Sequence, residues 1–120
     1  MTDVDLEDLR RIALAFPGVE EGTAYGTPCF RVRKKFIGRT RDGDSVYVLP
    51  MGIDEREMLI EAEPETFFVT DHYRASPYVL VRLAAIEPER LRIYFARAWR
   101  AAAGRKLLAA YDGDNPRASS

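Results

Sequence analysis

Three β-like stretches that follow one another between residues 28 and 50 constrain the fold of this chain most. They read "PCFRVR", "FIGRTR" and "SVYVLP", and only short polar connections separate them. Lys34 and Lys35 stand in the first connection, and the second contains an Asp-Gly pair, which tolerates the positive φ angles of tight turns. The pattern therefore predicts three antiparallel strands, with Lys34 and Lys35 forming the first turn.

Two helices are predicted around these strands from the spacing of apolar residues. Residues 3–16 place leucine, isoleucine and phenylalanine side chains on one face, and the proline and glycine that follow end the helix. Residues 53–63 predict a shorter amphipathic helix whose apolar face is formed by Met58, Leu59 and Ala62.

The C-terminal half of the chain adds two strands and a last helix. The stretches "TFFVT" and "YVLVRLA" are rich in aromatic and β-branched residues, which favours strands. Pro88 stands at a position typical of a first helical turn, and Gly104 predicts the end of the same helix. Trp99 is expected on the core side of this helix, so the predicted order is α-β-β-β-α-β-β-α.

This order predicts an α+β fold, a two-layer sandwich in which one mostly antiparallel sheet carries its helices on one face. A chain of 120 residues is expected to form a single domain. We place that domain at residues 1–110 and expect residues 111–120, which include "DGDNPRASS", to form a flexible polar tail.

The composition excludes several classes of protein. Eighteen basic and nineteen acidic residues give a formal net charge of −1, so no global field attracts polyanions to the whole molecule. No apolar run approaches the roughly 20 residues of a membrane helix, and the N-terminal stretch is acidic and amphipathic, which favours a cytoplasmic location. The single cysteine, Cys29, excludes an internal disulfide and suits a reducing compartment.

Positive charge is concentrated in one segment, where a nucleic-acid contact is predicted. Residues 31–41, "RVRKKFIGRTR", contain six cations and no carboxylate. Strand alternation puts the last two arginines on the same side as Ile37, which indicates a β-bulge or a hairpin end that lies beyond the core. The alternative function of these charges is to keep a solvated edge from pairing with another sheet. A basic β-hairpin can track phosphates, and this one would use Arg31, Arg33, Lys34, Lys35, Arg39 and Arg41.

A second candidate site lies in the polar loop between the two later strands. The segment "DHYRASP" carries the only histidine of the chain. We predict that Tyr25, His72, Tyr73 and Arg74 line a cleft for a protein or an anionic small molecule, since His72 can change charge near neutral pH. The alternative is structural: Tyr73 packs at the end of the sheet, while His72 and Arg74 bond to the backbone or to an acidic helix.

The sequence offers little support for catalysis or for a bound metal. The only cysteine–histidine pair is Cys29 with His72, and a cysteine that alternates with Phe30 in a strand is expected to be an inert, partly buried thiol. One histidine, one cysteine and scattered carboxylates fall short of a usual zinc ligand set. We therefore expect a binding protein without catalytic residues, metal ligands or cofactors.

Three longer stretches carry a family resemblance. They are "FPGVEEGTAYGTPCFRVRKKFIGRTRDGDSVYVLP", "ETFFVTDHYRASPYVLVRL" and "LRIYFARAWRAAAGRKLLA". Together they resemble the MmcQ/YjbR-like family over about residues 5–110, with no catalytic residues to carry over. The resemblance implies a small α+β domain similar in shape to frataxin-like and secretion-chaperone-like sandwiches. Members are often labelled as DNA-binding, although shape alone does not establish a function.

Resemblance and charge together predict a DNA-binding module that contacts phosphates through the basic β-hairpin. The alternative is a domain that binds a small ligand or a protein in the cleft around Tyr25, His72, Tyr73 and Arg74. These two functions differ in their salt dependence, because contacts to several phosphates release counterions and contacts in a cleft release few.

Overall fold

The computed structural model describes residues 4–114, which form one antiparallel sheet and four helices. Two short 3₁₀ turns, Asp71–Tyr73 and Leu83–Ala85, flank the last strand. In chain order the elements are α1 (Leu6–Leu14), β1 (Val19–Ala24), β2 (Thr27–Val32), β3 (Lys35–Arg41), β4 (Val46–Pro50), α2 (Ile53–Ala62), β5 (Phe67–Phe68), β6 (Tyr78–Arg82), α3 (Pro88–Ala103) and α4 (Arg105–Asp114).

The strands lie in the order β1-β2-β3-β4-β6-β5 across the sheet, and each neighbouring pair is antiparallel. Helices α1, α2 and α3 pack against one face of this sheet, which we call the helix face. The α+β class with helices on one face is therefore confirmed. The described order contains one strand and one helix more than predicted.

The main core lies between the helix face and the helices. Phe30, Tyr47, Phe95 and Trp99 are buried there, and Phe16 packs on both Phe95 and Trp99 with ring centroids 5.4 and 5.5 Å apart. The indole N–H of Trp99 donates to a backbone carbonyl at 2.9 Å, so its one polar atom is satisfied inside the core. The prediction that Trp99 belongs to the core is confirmed.

Strand β1 was not predicted, because its sequence "VEEGTA" lacks the apolar alternation of a half-buried strand. The strand lies at the edge of the sheet and is exposed along most of its length. Its partner supplies the stability that its own side chains do not, since all six residues pair with β2 in continuous register. The segment after α1 is thus a strand, although the first predicted strand begins only at residue 28.

The turn between β2 and β3 is shifted by one residue from the prediction. Val32 pairs with Lys35, so the two turn residues are Arg33 and Lys34. Both have positive φ angles, 51° and 68°, as two-residue hairpin turns with the twist of the sheet require. Lys35 is therefore the first residue of β3 and not part of the turn.

The irregularity predicted for this hairpin is a β-bulge. Arg31 pairs with Phe36 and Cys29 pairs with Arg39, so two residues of β3 lie opposite one residue of β2. The extra residue shifts the alternation, and Arg39 therefore lies on the face opposite to that of Ile37. One bulge residue is glycine, and a Cβ atom built there would lie 2.1 Å from the hydroxyl oxygen of Tyr47.

Helix α2 buries a different face from the one predicted. Met58 is 71% exposed and Ala62 is also exposed, whereas Leu59 packs against the core as expected. The buried residue of this helix is Arg56. The prediction was wrong for Met58 and Ala62. Hydrophobicity alone cannot show that backbone carbonyl oxygens accept hydrogen bonds from Arg56 and so allow this charged side chain to be buried.

Helix α4 replaces the beginning of the predicted polar tail. Gly104, with a φ of 86°, ends α3, and the chain then folds back so that Tyr111 packs on Trp99 with ring centroids 4.9 Å apart. Asp112 accepts two hydrogen bonds from Arg100, at 2.9 and 3.0 Å. Residues 111–114 are thus helical and not a flexible tail, and residues 115–120 lie outside the described residues. None of the helices within residues 4–114 is long and apolar enough to cross a membrane.

Candidate functional site

The face of the sheet opposite the helices, which we call the open face, carries a small apolar cluster of its own. Val46, Val48 and Leu80 form its floor. They share one face because Val48 pairs with Leu80 and side chains alternate along each strand. No helix covers this cluster among residues 4–114, and aromatic side chains, including Tyr73 and Tyr78, pack over it instead.

The loop between β5 and β6 brings these aromatic side chains onto the open face. Its 3₁₀ turn, Asp71–Tyr73, places the ring of Tyr73 at 5.9 Å from that of Tyr78 and at 4.8 Å from that of His72. Tyr73 therefore packs on the sheet, as the structural alternative predicted. Its hydroxyl group remains at the surface of a cleft, where it accepts a hydrogen bond.

Arg56 of α2 fixes the position of this loop. Its side chain is only 1% exposed, and a buried guanidinium is stable only if acceptors surround it. Glu57 binds it from the solvent side at 2.6 Å. The one signal of this role in the sequence is a single cation within an acidic helix, a pattern that also fits a solvated residue. Four carbonyl oxygens of the loop accept its N–H groups, those of Tyr73, Arg74, Ser76 and Tyr78, at 3.3, 3.0, 2.9 and 3.3 Å.

A cleft of about 510 Å³ lies on the open face between this loop and the β1–β2 hairpin. Its floor includes Val48, and two arginines from neighbouring strands, Arg31 and Arg39, line it. The remaining walls are largely aromatic. They are formed by Tyr25, Phe36, His72, Tyr73 and Tyr78. Cations and flat apolar surfaces therefore face the same volume.

Arg39 is held in a fixed orientation at the centre of the cleft. One terminal nitrogen donates to the hydroxyl oxygen of Tyr73 at 2.9 Å, and the other donates to the carbonyl of Thr40 at 3.2 Å. The ring of Tyr25 lies 4.9 Å from its guanidinium carbon, a cation–π contact. These neutral partners orient the positive charge without cancelling it.

Arg31 is likewise held by a neutral partner. A terminal nitrogen donates to the sulfur of Cys29 at 2.9 Å. Glu20 is its register partner on β1, yet within residues 4–114 no carboxylate oxygen approaches Arg31 or Arg39 to 4 Å. The open face therefore carries two oriented guanidinium groups whose charge is free to meet an anion.

Tyr25 reaches the cleft from a strained turn. Tyr25 and Gly26 form the two-residue turn between β1 and β2, with φ angles of 54° and 78°. A bulky side chain at positive φ is unfavourable, and this one is also 90% exposed, so packing does not hold it there. Strain of this kind is often found where a side chain is presented to a ligand.

A second, more polar cavity of about 570 Å³ adjoins the cleft and shares Arg39, His72 and Tyr73 with it. Arg41 lines this cavity and forms an ion pair with Asp42 at 3.4 Å. The basic segment and the histidine loop, which the sequence could not relate to each other, therefore meet at Arg39. Of the four residues of the predicted ligand site, the structure brings Tyr25, His72 and Tyr73 together at the cleft, whereas Arg74 is not among the residues that line it and pairs with Asp71 at 3.3 Å.

The six cations predicted to contact phosphates do not share one surface. Arg31, Arg39 and Arg41 lie on the open face. Arg33 and Lys34 form the hairpin turn, and the guanidinium of Arg33 reaches the end of α3 on the other side of the sheet. Lys35 lines a separate groove beside α3. The β-bulge and the hairpin turn interrupt the regular alternation of side chains, and they therefore place these cations on different surfaces of the protein.

Cys29 is fully buried, where the sequence indicated partial burial. Its sulfur lies below Arg31 and does not reach His72 through any hydrogen bond within the described chain. Burial also raises the pKa of Tyr47 well above its ordinary value, and the nearby Cys29 adds to this effect. Over residues 4–114, no three His, Cys, Asp or Glu side chains are grouped as metal ligands.

Fold and cleft together define a class: a two-layer α+β domain whose uncovered sheet face carries an arginine- and aromatic-lined cleft. The chain belongs to the YjbR family, because the family model described as YjbR matches residues 14–101. This confirms the resemblance found in the sequence. The crystal structure of Deinococcus radiodurans protein DR2400, with a domain assigned to DUF419, is similar in fold, with a TM-score of 0.69 and 19% sequence identity over 79% of this chain and 75% of that one. A comparison with curated proteins gives no match.

Proposed function

We propose that this protein is a nucleic-acid-binding module and that single-stranded DNA occupies the cleft on the open face. One observation carries the proposal: Arg31 and Arg39 are oriented by neutral partners among aromatic rings, without a carboxylate of residues 4–114 within 4 Å. A positively charged groove combined with aromatic stacking platforms is the usual basis of binding to single strands.

The aromatic walls favour a single strand over a duplex. The bases of a duplex are stacked on each other, so their faces cannot reach side chains such as Tyr25 and Phe36 without being unstacked. Tyr25 is almost fully exposed at the rim of the cleft and can cover a base that enters it. Each base stacked on an aromatic side chain contributes roughly 1–3 kcal/mol, whatever its identity.

The contribution of phosphates can be stated as a salt dependence. If Arg31, Arg39 and Arg41 each neutralise one phosphate, the plot of log affinity against log salt has a slope of about −2 for a single strand, at roughly 0.7 per phosphate. The DNA-binding function predicted from sequence is kept in this proposal, but the contact surface moves from the whole hairpin to the cleft.

Fluorescence anisotropy with a labelled single-stranded dodecamer tests the proposal, with the duplex of the same sequence beside it. We expect the single strand to bind more tightly than the duplex and with a slope at least as steep as the one given above, since any further phosphate contacts of the dodecamer add to it. The double variant Arg31→Gln/Arg39→Gln should weaken binding at least tenfold and make the slope shallower by about 1.4. The variant's circular dichroism and melting temperature verify that it is folded.

A matched control removes two positive charges from the other side of the molecule. Arg92 and Arg97 are on α3, paired with Glu89 and Glu55, and Arg92→Gln/Arg97→Gln changes the net charge by the same amount. Binding by this control should equal that of the unchanged protein. The proposal fails if the single strand does not bind, if the duplex binds more tightly, or if the control loses as much affinity as the cleft variant.

A small anionic ligand with an aromatic ring is the second candidate. The cleft volume of about 510 Å³ lies within the range of roughly 300–1,000 Å³ that is usual for sites of small molecules. Titration with deoxynucleoside monophosphates, followed by NMR shifts of Tyr25 and His72, distinguishes the two functions. A monophosphate that binds as tightly as the dodecamer supports this candidate, and binding that strengthens with strand length supports the first.

A further inference from the structure

The tip of the β2–β3 hairpin contacts the junction of α3 and α4. A terminal nitrogen of Arg33 donates to the carbonyl oxygen of Ala103 at 3.4 Å. The same nitrogen lies against Gly104, where the Cβ atom of any other residue would be 1.8 Å away. The glycine therefore does more than end α3, because it also admits the guanidinium of Arg33 to this junction.

This contact brings two separate basic segments together. A cavity of about 490 Å³ at the junction is lined by Arg33, Arg105, Lys106 and Leu107. Lys34 is the neighbouring turn residue and is exposed. Arg105 and Lys106 follow Gly104 in sequence, more than 70 residues from the turn, so their proximity was not visible before the fold was known.

The charge of this group is not neutralised within residues 4–114. None of Arg33, Lys34, Arg105 and Lys106 forms an ion pair with a described carboxylate. By contrast, Arg92, Arg97 and Arg100 on the neighbouring helix are each paired with an acidic side chain. Three of these positive charges line one cavity and repel one another, and Arg105 and Lys106 stand in the first turn of α4, where the helix dipole disfavours cations. An anion would relieve both costs.

We propose that Arg33, Lys34, Arg105 and Lys106 form a second phosphate-contacting patch, which binds the backbone of the DNA strand whose bases occupy the cleft. This inference rests on the proposed function. Only Val32 stands between Arg31 of the cleft and Arg33 of the hairpin turn, so the two arginines are about 7 Å apart at the rise of a strand. A strand as long as the dodecamer can therefore pass from the cleft over the turn to the patch.

The double variant Arg105→Gln/Lys106→Gln tests the patch without touching the cleft. Both residues are exposed and glutamine is a good helix former, so the fold is retained. Anisotropy is measured over a series of salt concentrations with a single-stranded trimer, which is long enough only for the cleft, and with the dodecamer. We expect the salt slope for the dodecamer to become shallower by about 1.4 and the trimer to bind as before.

The outcomes separate this inference from the function on which it rests. If the unchanged protein binds neither DNA, the proposed function fails. If it binds the dodecamer and the variant shows an unchanged slope, only the patch is refuted. Equal losses for trimer and dodecamer would also refute it, because the cations would then act on the cleft. Arg33→Gln should reproduce half of the change in slope, and Arg92→Gln/Arg97→Gln should produce none.

Discussion

The arginines between the helices and the arginines of the cleft on the open face are used in opposite ways. On the side of the helices, Arg90 binds Glu63 and Arg97 binds Glu55, so positive charge is matched by negative charge between helices. On the open face, Arg31 and Arg39 are held by a sulfur atom and a phenol. Matched charges serve packing, whereas charges oriented by neutral groups stay available to a ligand.

The two faces of the sheet also differ in how completely their apolar side chains are buried. The helix face contributes to the main core, where Phe30 and Trp99 are completely buried. The open face has only the cluster around Val48, covered in part by aromatic side chains that also line the cleft. Stability should therefore depend on the helix face, and binding should depend on the open face.

The largest effect is expected from truncating matched phenylalanines on the two faces of one hairpin. Phe30 on β2 is buried on the helix face, and Phe36 on β3 lies half-buried on the open face. Phe30→Ala should lower the free energy of unfolding by about 3–5 kcal/mol. Phe36→Ala should lower it by only about 1–2 kcal/mol. Urea unfolding of both variants measures the difference, and equal losses would contradict the division between the faces.

Arg56 connects the two faces, so its removal should have the next largest effect. Arg56→Met leaves four loop carbonyls without their donor and should cost roughly 1–3 kcal/mol, limited because the loop can open to water. Amide hydrogen exchange should accelerate in residues 71–78 more than in β4. The control is Arg97→Met, whose exposed ion pair should be worth less than about 1 kcal/mol. Unchanged exchange in the loop would show that Arg56 does not hold it.

Much of this fold could be predicted because its strands and helices follow simple periodicities. β2, β3 and β4 alternate or carry runs of β-branched residues, and α3 has a continuous apolar face. β1 could not be predicted because its stability comes from pairing at the edge and not from its side chains. The same holds for Arg56, whose partners are backbone carbonyls supplied by a loop some 20 residues away in sequence.

The candidate site could be predicted only as two separate halves. Tyr25, His72 and Tyr73 were expected together, and Arg39 was expected to act with the rest of the basic hairpin. Two features join them: the bulge that turns Arg39 to the open face and the loop that lays Tyr73 beside it. Neither feature has a periodic signal, because a bulge depends on one inserted residue and a loop position depends on distant contacts.

A small gain in stability is expected when the strain at the cleft is released. Tyr25→Asn places a residue that tolerates positive φ in the turn and should raise the free energy of unfolding by about 0.5–1 kcal/mol. The same change removes a stacking surface and should weaken binding of the single-stranded dodecamer. Thermal unfolding and anisotropy measure the two effects. A variant that is more stable and binds equally well would remove Tyr25 from the site.

The smallest effect is a difference in pH dependence between the faces. The guanidinium of Arg90 donates hydrogen bonds to Glu63 and holds the pKa of that carboxyl below its ordinary value of 4.5. Stabilisation by this pair is therefore fully present above about pH 4.5 and is lost as the pH falls through the lowered pKa. Because both side chains are partly exposed, the loss should be only about 0.2–1 kcal/mol.

Glu63→Gln should flatten the stability profile between pH 5 and pH 3 by that amount, as measured by urea unfolding at each pH. Arg39→Gln on the open face should leave the profile unchanged, since Arg39 bonds to a hydroxyl and a carbonyl oxygen and no carboxylate oxygen of residues 4–114 lies within 4 Å of it. A steeper or flatter profile in Arg39→Gln would mean that the open-face arginines, like those of the helix face, depend on a carboxylate.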